Sequence, residues 1–317
     1  MGATSFLRSL SRLPTGRRST NLSMVTPLPV QSRFSEEVTE KLGALRTSEY
    51  EYASASWLVE VLDATIVTQK VAQEEVIKSA NNVTLSKLDK ETIEAYLGDN
   101  IELLDACNGL VEKIDVVHKY EDTLQSVVRS LAIEGRSQEM LKECSKVEAQ
   151  CAALDKCSPK LCRLMGRKET THVNQGEQDL ELHEALSGSR EVASMSCQLF
   201  QRALSFKSRQ GLLKSRSKLS TTWSSSLNEL QVALNEEAER RKKCAPWMMN
   251  ELEKMVMDAR FVQDQVKSQK RSIEIDDLRR SCRALEQVVE PLEERVRELY
   301  KVLISIRMVL LGILSKC

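Results

Sequence analysis

The chain is poor in the residues that build sheets and tight turns: among 317 residues there are 11 Gly and 6 Pro, and aromatics make up only 4%. Strands draw on aromatic and β-branched residues and need frequent turns, so this scarcity excludes most sheet architectures and favours long amphipathic helices. Gly-x-Gly is absent and no glycine-rich phosphate loop appears, which removes the usual sequence signal for a nucleotide site. The nine cysteines contain no Cys-x-x-Cys pair and follow no secretory apolar region, the pattern of reduced, intracellular thiols. Neither charge sign is in excess, with Lys+Arg and Asp+Glu both at 46, so no nucleic-acid partner is expected.

Long apolar runs are missing too. None reaches the roughly 18 residues of a membrane span, and the longest candidate, 302–314, contains Arg307. That segment is expected to pack on protein, with a peripheral membrane contact as the alternative. The three histidines, His118, His172 and His183, fall in separate segments. They give no local support for a metal site or a Cys–His nucleophile, so no catalytic residue, metal or cofactor is assigned.

What the chain does have is helical period and charge, 29% of it Asp, Glu, Lys or Arg. The clearest face lies around Tyr96–Leu110, where Ile93, Tyr96, Leu97, Ile101, Leu103, Leu104, Cys107, Leu110, Val111 and Ile114 form one apolar stripe. Gly98, Glu102 and Gly109 fall opposite. Asn100 lies inside the stripe and Asn108 at its edge, so each is expected to bond to a neighbouring helix and fix register. A second strip runs Trp57, Leu58, Val61, Leu62, Thr65, Ile66. Met140, Cys144, Val147, Cys151 and Leu154 make a further seam whose thiols read as buried and inert. The strongest period comes last, from Leu278 through Cys282, Leu285, Val289, Leu292, Val296, Leu299, Leu303, Ile306 and Leu310 to Ile313. This predicts a long coiled-coil-like helix, kinked by Pro291 near Gln287, whose seam packs in its own bundle or pairs with a partner or second copy.

The stretch Tyr96-Leu97-Gly98-Asp99-Asn100-Ile101-Glu102-Leu103-Leu104-Asp105-Ala106-Cys107-Asn108, with Ser56-Trp57-Leu58 upstream, resembles the plant-specific BYPASS-like family. Its members carry Ser-Trp-Leu or Ser-Trp-Met followed by a "YLD…LLDICN" helix. The match falls on Trp57, Tyr96, Leu97, Leu103, Leu104, Asp105, Cys107 and Asn108, and departs at Gly98 and Ala106. Near the C-terminus, Leu303 to Leu314, including Arg307, is similar to the family's closing "LVRTRVSLLNIL". The resemblance implies a non-enzymatic regulator of plant development that restrains a root-derived mobile signal able to arrest shoot and leaf growth. It implies no catalytic motif. The alternative is a cytoplasmic or peripheral-membrane helical scaffold of vesicle-tethering, exocyst-type machinery.

Residues 1–35 contain no Asp or Glu and include Arg8, Arg12, Arg17, Arg18 and Arg33 among Ser, Thr, Leu and Pro. This is the composition of an organellar transit peptide, with the chloroplast as the expected destination and a basic tail on a cytoplasmic or peripheral-membrane protein as the alternative. Structure is expected to start at Ser35 as an N-cap. The expected plan is all-α: an elongated helical bundle with a disordered basic leader at 1–35, an N-terminal bundle at 36–166, a linker at 167–178 and a C-terminal helical region at 179–317. Glu236, Glu237 and Glu239, four residues before Arg240, Arg241 and Lys243, suggest a solvated face. The acid-free basic stretch 202–218 reads as a solvated loop, or else as an acidic-lipid docking surface or a kinase-controlled contact. Protein partners through helical surfaces, or a homo-oligomer, are expected.

Overall fold

The computed structural model describes residues 32–82, 85–131, 137–154, 177–206, 221–242, 247–268 and 273–316, and among them the chain is all-α. The helices are α1 (Arg33–Arg46), α2 (Ala55–Asn82), α3 (Lys87–Leu131), α4 (Ser137–Leu154), α5 (Glu177–Ala203), α6 (Thr222–Lys242), α7 (Asn250–Lys267) and α8 (Asp276–Leu314). The leader at 1–31, Gly135, Cys157, Cys162, His172, Pro246 and most of the basic stretch lie outside the described residues.

Local chemistry sets the helix starts. Ser32, rather than Ser35, caps α1: its Oγ accepts from the Ser35 N–H at 3.1 Å, and Ser35 is buried one turn into the helix. The expected leader therefore gives up residues 32–35 to α1. At α3, Ser86 and Asp89 form a reciprocal capping box, with the Asp89 N–H on Ser86 Oγ at 3.1 Å and the Ser86 N–H on Asp89 Oδ2 at 2.9 Å. The start of α2 is capped from a distance, because the Glu251 carboxylate accepts from the Ala55 N–H at 3.0 and 3.1 Å. The turn before it is held in a left-handed conformation at Ala53, φ 66°, and the Ala53 carbonyl accepts from the Asn250 N–H at 3.0 Å.

One helix is buried almost all round. In α5, Leu182, Ala185, Leu186, Ser189, Val192, Ala193, Met195, Ser196, Cys197, Leu199 and Phe200 are all at most 2% exposed. Its many small side chains let α2 and α3 approach closely, and its serine hydroxyls return to their own helix, Ser189 to the Leu186 carbonyl and Ser196 to that of Val192. Of the expected linker at 167–178, residues 167–176 lie outside the described residues. Ser32–Cys317 is one compact unit in which α5 and α8 pack on α2 and α3, and α6 packs on α1.

Helix α8 runs uninterrupted through Pro291 and buries its seam from Leu278 to Leu310. That seam is filled by α2, α3 and α7 of the same chain rather than left open for a partner helix. Glu237 and Arg241 also depart from expectation. Instead of lying on a solvated face they are largely covered, with Arg241 Nε on Glu237 at 2.7 Å, Nη1 on Asn250 Oδ1 at 2.7 Å and Nη2 on the Tyr52 carbonyl at 2.9 Å. Loop-to-helix ties of this kind are invisible to an i, i+4 pattern.

Candidate functional site

The motif helix α3 lies where α2, α5 and α8 converge, and polar side chains thread that meeting point. Tyr96 Oη donates to Gln69 Oε1 at 2.8 Å, and Gln69 Nε2 donates to the Ser189 carbonyl at 2.6 Å, linking α3, α2 and α5 in series. Burial pushes the Tyr96 phenol up to about 12, so it acts as a neutral donor. One turn further along α3, Asn100 Nδ2 donates to the Leu303 carbonyl of α8 at 3.1 Å. Back toward the start of the helix, the Leu97 carbonyl accepts from Arg307 Nη1 at 2.8 Å. On the α5 side Asp99 meets Arg190 at 3.3 Å, with side chains 3% and 11% exposed. Lys113 Nζ donates to the Gln201 carbonyl at 2.5 Å, and Thr65 and Ser196 hydroxyls bond at 2.5 Å. These contacts fix which turn of each helix faces which turn of its neighbour.

The residues singled out by the family motif divide into two sets. Trp57, Tyr96, Leu97, Leu103 and Cys107 are in the core, and the Trp57 indole donates to the Leu45 carbonyl at 3.0 Å to hold α1 on α2. Cys107 meets Cys197 of α5, and their shared hydrogen bond followed by burial holds the Cys107 thiol well above its usual range. Leu104 and Arg307 are half-buried, while Asp105 and Asn108 are exposed. Among the described residues Asn108 makes no helix-to-helix bond of the kind expected. Ile101, expected in the core stripe, is 46% exposed, because α8 covers only one flank of α3.

Sequence reasoning placed Asn100 and Arg307 but missed Gln69, Asp99, Ser189, Arg190 and Lys113. The available signal was a polar residue at a core register: Gln69 falls one turn after Thr65 on the α2 strip. Other reactive groups are held inert or apart. Burial pushes Cys144 and Cys282 each up to about 12, leaving them as thiols. His118 approaches Glu293 at 3.9 Å, while His183 lies on α5. Among the described residues no group of three or more His, Cys, Asp or Glu side chains is placed to hold a metal ion, and no helix is long and apolar enough to cross a membrane. What the arrangement does chemically is fasten helices and present a mixed polar and apolar rim along α3 and α8.

No curated protein and no solved structure matches the chain. A family model described as Protein BPS1 matches residues 76–313, which takes in α3 to α7 whole and nearly all of α8. The matched span contains the ties that join α3 to α5 and α8 and covers more than half of the chain, and on that ground the chain belongs to the Protein BPS1 family, the BYPASS-type proteins of plant development.

Proposed function

We propose that this protein restrains production of a root-derived mobile signal that arrests shoot and leaf growth, and that it does so by contact with other proteins rather than by catalysis. The family match over residues 76–313 carries the reading. The disposition of reactive groups supports it, since the buried tyrosine, thiols and ion pair of the motif region serve as ties between helices. The test is complementation in a plant line lacking BYPASS-type activity, with the chain expressed in roots alone. Recovery of shoot growth in grafts onto such roots is the expected result. Persistent arrest, with the protein accumulating at normal level, would overturn the proposal.

The acid-free composition of residues 1–31 supports import into plastids as part of this reading. Sequencing the N-terminus of protein recovered from a plastid fraction tests it. A start shortened to between Met24 and Ser32 is expected, whereas an intact start in cytosol or on membranes rejects it.

A further inference from the structure

One face of the bundle leaves large aliphatic side chains in water at helical spacing. On α8, Ile304, Met308 and Leu311, at i, i+4 and i+7, are 39%, 63% and 42% exposed, and Ile101 of α3 beside them is 46% exposed. The Asn100–Leu303 and Leu97–Arg307 hydrogen bonds set α3 and α8 antiparallel and fix their register. By that register Ile101 lies within one turn of Ile304 in height, Gly98 within one turn of Met308, and Asp105 within one turn of Lys301. Gly98 is exposed and a Cβ there would meet nothing within 4 Å, so it leaves an open hollow on the α3 ridge.

The two ridges flanking this apolar strip carry opposite charge. Over 91–105 of α3, the stretch that this register sets beside 299–312 of α8, every exposed charged residue is acidic: Glu91, Glu94 and Asp105. Over 299–312 α8 carries Lys301 and Arg307 and no acid. Among the described residues Asp105 and Lys301 have no ion-pair partner in their own chain. An acidic ridge pressed on an anionic membrane is repelled, which disfavours a lipid occupant. A surface with an acidic and a basic half is complementary to itself.

We propose that the α3–α8 face binds a second copy of this chain. A two-fold axis running along the groove lays α3 of each copy on α8 of the other and keeps heights unchanged. Asp105 then faces Lys301 of the second copy, Met308 enters the hollow at Gly98, and Ile101 and Ile304 close the centre. An axis across the groove would lay acid on acid. A face of about 20 residues by two helix widths is on the order of 600 Å² per copy, below the roughly 800 Å² of a standard interface, so the dimer is a weak one.

The mass of the full chain, measured by sedimentation from about 1 to about 100 µM, is expected to move from one copy to two, since this range brackets the affinity of an interface of that size. Met308→Glu and Gly98→Glu are each expected to weaken association at least tenfold. Gly98→Glu puts a better helix former into empty space, so its thermal midpoint should not fall and misfolding cannot explain the loss. Asp105→Lys and Lys301→Glu are each expected to weaken the dimer, and the double variant to regain it. A wild-type chain of single mass throughout, a Gly98→Glu variant that dimerises like wild type, or a double variant no better than the singles overturns the proposal. So does a chain that stays monomeric while pelleting with anionic vesicles in a Met308-dependent way, which would assign the face to membrane.

Discussion

Two buried regions of this bundle are built on different principles. Where α1, α5 and α6 meet, shape dominates: Phe34 and Trp223 stand edge to face at 6.4 Å, and Gly188 lies so close beneath that a Cβ would come 2.6 Å from the Phe34 ring. A single carboxylate, Glu184, bridges Ser32 at 2.7 Å and the Trp223 indole at 3.1 Å. At the α2–α3–α5–α8 junction the contacts are instead amides, a phenol, an ion pair and backbone carbonyls. The corner is fixed by what fits, and the junction by which partners are paired. Close packing penalises an added atom, whereas a polar network penalises a missing one.

The largest test of that contrast is at the junction. Asp99→Ala removes the carboxylate paired with the buried Arg190 guanidinium, and breaking a buried pair from one side is expected to cost about 3 kcal/mol by denaturant titration. Replacing both partners by apolar residues of similar size should recover most of it. A loss of only a few tenths from the single change would show that the pair is effectively solvated. At the corner, Gly188→Ala adds one carbon where Phe34 and Trp223 cannot retreat together. An overpacking cost exceeding the helix-propensity gain should leave a net loss of about 1–2 kcal/mol. If the variant proved more stable than wild type, the corner would be looser than its distances imply.

A smaller effect separates the two asparagines of the motif. Asn100→Ala removes the bond to the Leu303 carbonyl and is expected to cost about 1 kcal/mol, while the exposed Asn108→Ala should fall within about 0.5 kcal/mol of wild type. Equal losses at the two positions would contradict a register role confined to Asn100.

These residues also mark how far the sequence could be read. The seam from Leu278 to Leu310, the buried thiols Cys144 and Cys151 and the core position of Asn100 follow from period alone, because a repeat at helical spacing demands cover whatever provides it. The family was legible in the Tyr96–Asn108 stretch. Period does not say how wide that cover is, and so Ile101 and Asn108 were placed on the wrong side of the boundary. Nor does it reveal α5 as the centre of the bundle, since Ser187, Gly188, Ser189, Ser194 and Ser196 read as polar and flexible until a neighbour needs them small. Yet that short-side-chain helix packs against both α2 and α3.

Further along α3, Glu121 extends the comparison to a buried carboxyl with no arginine. Its side chain bonds to the Gln125 amide, and burial holds its carboxyl above the ordinary 4.5, with the nearby Glu286 and Asp122 charges adding to the rise while Gln125 and His118 oppose it. Below pH 4.5 the group is protonated folded or unfolded, and its contribution to stability is fully present. As pH climbs through the raised folded value the native state must ionise a buried carboxyl that the unfolded chain ionises freely, so that contribution is lost. Glu121→Gln cannot ionise. Its thermal midpoint should match wild type at pH 4 and exceed it at pH 7, a smaller change than those above because Gln125 and His118 already offset part of the strain. A variant that melts lower at pH 7 would mean that the ionised carboxylate is satisfied where it lies, and Glu121 would then belong with Asp99 as a paired charge.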